Sequence, residues 1–236
     1  MRYYRKILSM LLFMTCRGYC HNIYVGSTGL LFPYSLGALA YIKTNLKPES
    51  YHLSGVSGGT WCSLIFHFEN DLRDHDKLWN TFIGNKNTVI QMFDKKSMED
   101  VQHTISSNIL KKYKNADVSN IPLSIYVTKI DRGGIKNMII DKFQDIEDIV
   151  GFSRCSSYIP FVCGNSLWTM HKNKKYIDGV FFHKKPIDGF DINIDVETLL
   201  AKDGNRYTKR RIILDIDKSR ELFKDGWQYA KNNINL

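Results

Sequence analysis

No stretch of this 236-residue chain approaches 18 consecutive apolar residues, so no segment reads as a bilayer-crossing helix. Internal repeats, low-complexity tracts and Pro/Gly/Ser-rich linkers are also missing, and the five prolines are scattered. That excludes solenoids and linker-joined arrays and leaves one domain as the economical reading. The five cysteines, Cys16, Cys20, Cys62, Cys155 and Cys163, are too few and too irregularly spaced for a disulfide framework. With no C-x-x-C, H-x-x-x-H or H-E-x-x-H pattern, neither a metal nor another cofactor is expected.

The chain is 43% hydrophobic, enough for a proper core, and carries 33 Lys plus Arg against 24 Asp plus Glu, a net charge of +9. Such an excess suits an anionic partner, either a phospholipid surface or nucleic acid, or else a merely solvated face. "KKYK" and "TKRR" are short clusters with no nucleic-acid-binding motif around them, so no nucleic acid is expected. Residues 1–20 combine the cationic "MRYYRK", the apolar "ILSMLLFM" and "TCRGYC". They read as a signal peptide, a membrane-proximal anchor or the first element of the fold. A signal would put the protein in a secretory or peripheral-membrane setting, and its absence in the cytoplasm. Residues 21–236 are then the domain; the oligomeric state is not legible.

Strand-like and helix-like segments alternate along the domain. "NIYV" is a buried strand, "LLFPYSLGALAYIKTN" a helix with Pro33 in its first turn, "YHL" a strand and "GTWCSLIFHFEN" a helix. "SMEDVQHTISSNILKKYK" is amphipathic, and Ser97 with Asp100 three residues on suggests a capping box at its start. "LSIYVTKI" and "KNMII" are expected to pair across a "DRGG" turn. A helix over "DIEDIVGFSRCS", strands at "SLWTM", "KKYID" and "RIILDI", and a closing helix over "SRELFKDGWQYAKNNI" complete the chain. The alternation predicts an α/β fold, a three-layer α/β/α sandwich with a mostly parallel central sheet.

Chemistry concentrates at "YHLSGVSGGTW". Gly55-Val56-Ser57-Gly58-Gly59 fits G-x-S-x-G, with a strand before it and an apolar helix after it. In such an elbow the serine sits on a turn sharp enough to project its hydroxyl beyond the sheet, and Gly55 and Gly59 leave room where strand and helix nearly touch. The helix start beside Ser57 adds its positive dipole end. The alternative is an ordinary turn serine among glycines.

A nucleophilic serine needs a base. In α/β-hydrolases the histidine comes last in the chain, and here the last one is His183. His52 lies on the incoming strand pointing away from the tip, and His67 and His75 lie a helix away, so all three read as packing or surface residues. Asp178 is the better candidate. It ends the run "KKYID" and is followed by Gly179, expected to let the chain turn so that the carboxylate faces the neighbouring strand end. With water excluded and its pKa raised, that carboxylate takes the Ser57 proton directly. Asp188-Gly189, in a loop, and Asp225-Gly226, in the closing helix, read as structural.

These residues resemble the patatin-like phospholipase family, whose members pair Ser with Asp and use no histidine. "VGSTGLLFPYSLGAL" resembles the family's oxyanion segment and following helix, "GVSGGTW" its elbow, and "YIDGVFFHKKP" its D-G motif with a proline beyond. "CSSYIPFVCG" and "LFKDGWQYAKN" are softer matches. The resemblance is strongest over Val25 to Leu64 and Cys155 to Pro186. It implies an α/β/α sandwich that hydrolyses ester-linked fatty acids of phospholipids or glycerolipids without calcium. Ser57 and Asp178 would form the dyad, main-chain amides over Gly26, Ser27, Thr28, Gly29 and Leu30 the oxyanion hole, and Gly55, Gly58, Gly59 and Gly179 would support the motifs.

The sequence departs from the family's glycine-richer oxyanion segment at Ser27 and Thr28, and from its second glycine after the aspartate at Val180. A degenerate lipid-surface binding protein therefore stays open beside the hydrolase, as does a His183-dependent esterase. Lysines on both sides of Asp178, with Phe181 and Phe182 between, suit an anionic membrane surface; equally, the phenylalanines are core and the lysines solvated.

Overall fold

A computed structural model describes residues 21–47, 51–91, 94–181, 189–196 and 213–235. The N-terminal segment 1–20 and the stretch holding Phe182, His183, Pro186 and Asp188 lie outside these residues. Over the rest the chain is a mixed α/β fold, a central sheet flanked by helices.

Strand β1 (His21–Val25) leads through a 3₁₀ turn (Gly29–Leu31) into helix α1 (Phe32–Asn45). Strand β2 (Tyr51–Val56) leads through Ser57 into α2 (Gly58–Phe68). After α3 (His75–Phe82), the two-residue β3 (Ile90–Gln91) and α4 (Lys95–Lys112) come the long β4 (Leu123–Asp131) and β5 (Gly134–Ile140). Helix α5 (Ile146–Ser156) precedes the hairpin of β6 (Thr169–His171) and β7 (Lys174–Asp178). Then follow β8 (Ile192–Ile194), β9 (Ile213–Leu214) and α6 (Ile216–Asn233).

The main sheet runs β6-β7-β4-β2-β1-β8, with β5 also on β4. It is mixed rather than mostly parallel. The β1–β2, β1–β8 and β2–β4 ladders are parallel, whereas β4–β5, β4–β7 and β6–β7 are antiparallel. For β4–β5 and β6–β7 the correction has a local cause: "DRGG" and Lys172-Asn173, the latter pair with φ of 47° and 59°, are tight hairpin turns, and a tight turn returns the chain antiparallel.

Alternation along the strands sorts the side chains. Ile23, Val25, Leu53, Leu123, Ile125, Val127, Ile192 and Ile194 join the helices in the main core. On the other side Tyr24, Val56 and Tyr126 make a small cluster with Phe190. Helices α1 and α6 cross in backbone contact: a Cβ on Gly37 would lie 1.9 Å from the Phe223 carbonyl oxygen, and one on Gly226 1.8 Å from that of Tyr34.

Two expectations are revised. Helix α4 is capped by Asp94, whose carboxylate accepts from the Ser97 amide at 2.7 Å; Ser97 instead uses its hydroxyl to accept from Gln91 N–H. Within "RIILDI", whose first two residues lie outside the described ones, Ile213–Leu214 pairs not with the main sheet but with Ile90–Gln91 in a separate two-stranded sheet, and stops because Asp215 already caps α6.

Candidate active site

Strand β4 brings the site together. Its Leu123–Tyr126 stretch pairs with Leu53–Val56 of β2, and the next residues, Val127–Ile130, pair with Asp178–Lys175 of β7. Since β5 occupies the opposite edge over the same residues, β2 and β7 share one edge of β4 and meet end to end on it. Val56 sits opposite Tyr126 and Asp178 opposite Val127. The residue that leaves β2 therefore emerges against the residue that ends β7. Ser57 Oγ donates to Asp178 Oδ2 at 2.6 Å, and both side chains are buried.

Ser57 has φ 55° and ψ −132°, a region that costs a non-glycine residue roughly 1–3 kcal/mol. Ser156 holds it there. The Ser57 amide donates to Ser156 Oγ at 3.0 Å, that hydroxyl donates to the Tyr126 carbonyl at 2.7 Å, and Thr60 Oγ1 lies 3.1 Å away. One buried hydroxyl thus ties the elbow to β4. Glycine is required on either side: a Cβ on Gly55 would lie 2.8 Å from Thr60 Cα, and one on Gly59 2.4 Å from the carbonyl oxygens of Val25 and Gly26.

Asp178 is fixed as firmly. Its amide donates to the Tyr158 carbonyl at 2.9 Å, and its Oδ1 accepts from the Val180 amide at 2.9 Å. Complete burial outweighs the bonds that the carboxylate accepts from Ser57 Oγ and the Val180 amide and pushes its pKa up to about 7. Gly179 is needed here for close approach, not for a left-handed turn, because a Cβ there would lie 2.3 Å from the Tyr126 carbonyl oxygen.

Helix starts set the electrostatics. Helices α3, α4, α5 and α6 are each capped by an aspartate, Asp74, Asp94, Asp145 and Asp215. The 3₁₀ turn with α1, and α2 itself, have no side-chain cap, and both begin at the site. Their first amides have no intrahelical acceptor and favour negative charge. Gly58 and Gly29 face each other, since a Cβ on Gly58 would stand 3.1 Å from Gly29 N, and Gly29 has φ 50°. Among the five expected donors Gly26 must be withdrawn: its amide continues the β1–β8 ladder, donating to Ile194 O at 2.9 Å. Of the other four, Thr28 and Gly29 lie against Gly58, whose own position at the start of α2 was expected only to support the motif.

The other acid–base candidates among the described residues are elsewhere. His52 Nε2 lies 2.9 Å from Ser124 Oγ. His67 is half-buried with its Nε2 enclosed, and desolvation pushes its pKa down to about 3. His75 bridges Ser219 and Asp76. Asp225 lies in α6, and His183 falls outside the described residues. Among the described residues no three His, Cys, Asp or Glu side chains gather as a metal cage would require, and no helix is long and apolar enough to cross a membrane. Phe181 is 48% exposed, on the surface rather than in the core.

Ser156 and the Tyr158 carbonyl escaped the sequence reading. Their only trace there is the small-residue run "CSSY", whose bonds to Ser57 and Asp178 span 99 and about 20 positions of chain. No protein-family model matches the chain, and no curated protein matches it in sequence.

Proposed function

We propose that the protein is a serine acyl hydrolase of the patatin-like type, a three-layer α/β/α sandwich that releases ester-linked fatty acids from phospholipids or glycerolipids at an anionic membrane surface, without calcium. The observation that carries the reading is the 2.6 Å bond from a strained serine hydroxyl to a buried carboxylate whose pKa is raised.

The chemistry follows from those groups. Ser57 Oγ attacks the ester carbonyl as Asp178 Oδ2 takes its proton, and the carbonyl oxygen becomes an oxyanion facing the amides of Gly29 and Gly58. When the intermediate collapses, the C–O bond to the alcohol breaks, and Asp178 returns the proton to the leaving oxygen. A water then attacks the acyl-Ser57 ester with Asp178 again accepting its proton. The fatty acid departs and Ser57 Oγ recovers its hydrogen.

The experiment is labelling with a fluorophosphonate probe, mapping of the adduct, and assay of lipid-ester turnover. Ser57→Ala removes both labelling and turnover, and Asp178→Asn removes turnover with the fold intact. His183→Ala leaves both in place. Undiminished turnover by Ser57→Ala refutes the dyad; vesicle binding by a wild type that neither labels nor turns over points to the degenerate lipid-surface protein instead.

A further inference from the structure

The backbone bond from the Asp178 amide to the Tyr158 carbonyl joins two segments that both place apolar side chains in water. Three residues beyond Tyr158, Phe161 is 61% exposed and has φ 62°, so a large apolar ring is held outward at a conformational cost. The knuckle that holds it is braced. Val162 and Cys163 amides both donate to the Ile159 carbonyl, and Tyr158 OH donates to the Ser166 carbonyl at 2.9 Å. Beyond Asp178, Val180 and Phe181 are exposed in their 3₁₀ turn. Leu167, also exposed, comes level with Asp178 when the β6–β7 register, Thr169 opposite Tyr176, is continued by two residues.

Charge identifies what this rim meets. From Ile159 to Phe181 the chain carries Lys172, Lys174 and Lys175, while its single acidic residue, Asp178, is buried. Lys174 and Lys175 are exposed, and Lys175 Nζ lies 3.9 Å from the centroid of the Trp168 ring. From the neighbouring α4, Lys95 contacts Asn165 of the knuckle, and the acidic Glu99 nearby is outnumbered. Exposed apolar rings ahead of a lysine row match the layering of an anionic bilayer, with acyl chains beneath phosphate headgroups.

We propose that Phe161, Leu167, Val180 and Phe181 form an insertion rim, backed by Lys174 and Lys175, through which the protein seats on an anionic phospholipid bilayer. The choice of a bilayer rests on the acyl-hydrolase reading, since an ester that must reach a buried dyad arrives from a membrane through this rim.

The test is co-sedimentation of the full chain with phosphatidylcholine vesicles, with and without phosphatidylserine, beside turnover of a soluble short-chain nitrophenyl ester. Phe161→Ser and Phe181→Ser each weaken vesicle binding about tenfold. The Lys174→Gln/Lys175→Gln double variant weakens it about thirtyfold, from about fivefold per lysine, on phosphatidylserine vesicles only. Soluble-ester turnover is unchanged in all three. A wild type that does not sediment with vesicles, or rim variants that bind as wild type does, overturn the proposal. So does concentration-dependent self-association abolished by Phe161→Ser without vesicle binding, which makes the rim a contact between copies. Rim-dependent vesicle binding by a protein that turns over no ester leaves the surface standing and removes the hydrolase reading.

Discussion

Replacing Asp178 by Asn is expected to abolish turnover and at the same time stabilise the protein, by an amount that depends on pH. In the folded state the carboxyl titrates near 7, against an ordinary value of 3.8, because it is fully buried and, among the described residues, no cation offsets that burial. Its folded pKa exceeds its unfolded one, so between these values the native state holds a proton that the unfolded chain has released. Stability is therefore highest below about pH 4 and falls as pH rises through 7. At ~1.4 kcal/mol per pH unit, this difference in proton binding lowers stability by about 4 kcal/mol at pH 8, where Asp178 is charged, and by about 2 kcal/mol at pH 5, where it holds its proton. Asparagine has the shape of the protonated acid. Its oxygen accepts from the Val180 amide, and its NH₂ donates to Ser57 Oγ, whose hydroxyl hydrogen is free to turn away. Urea denaturation of both proteins from pH 5 to 8 should show the variant ahead by a margin that widens by roughly 2–3 kcal/mol. A margin that stays flat with pH, or an asparagine variant less stable at pH 8, refutes the reasoning that Asp178 is a desolvated, uncompensated carboxylate.

The same titration predicts that kcat/KM on a soluble ester rises with pH through an apparent pKa of about 7, since only the anion accepts the Ser57 proton; activity undiminished at pH 5 would contradict it. Ser156→Ala leaves the Ser57 amide without its acceptor, so a loss of about 1–3 kcal/mol in stability and roughly tenfold in kcat at little-changed KM is expected. Ser156→Thr, which retains the hydroxyl, should recover most of the rate. Gly226→Ala drives a methyl into the Tyr34 carbonyl and should cost about 3 kcal/mol or more, read as a fall in the denaturation midpoint, with Gly37→Ala doing the same from the facing helix.

Much of this molecule is set by local interactions and is therefore legible in its sequence. Apolar spacing places α1, α2, α5 and α6, the "DRGG" hairpin forms where its turn residues stand, and the elbow glycines are needed for the crowding that their spacing implies. Ser57 and Asp178 were nameable because each carries its own context: a strand, a glycine-lined turn and a helix for one, a strand end and a glycine for the other. Errors arose where one local signal competed with another. Ser97 looked like a cap, yet Asp94 stands three residues nearer the true start and caps it.

What residue order alone determines here is which segments become strands, helices and turns, because propensity, capping and periodicity act within a few residues. Tertiary structure decides the rest. It sends β7 back antiparallel along the edge that β2 vacates, so that residues 121 apart in the chain share one proton, and it removes the water that would leave Asp178 an ordinary acid. It also turns Ser156 into the brace of a strained turn and takes Gly26 out of the donor set. Pairing register and desolvation are properties of the assembled sheet, and no short stretch of sequence carries either.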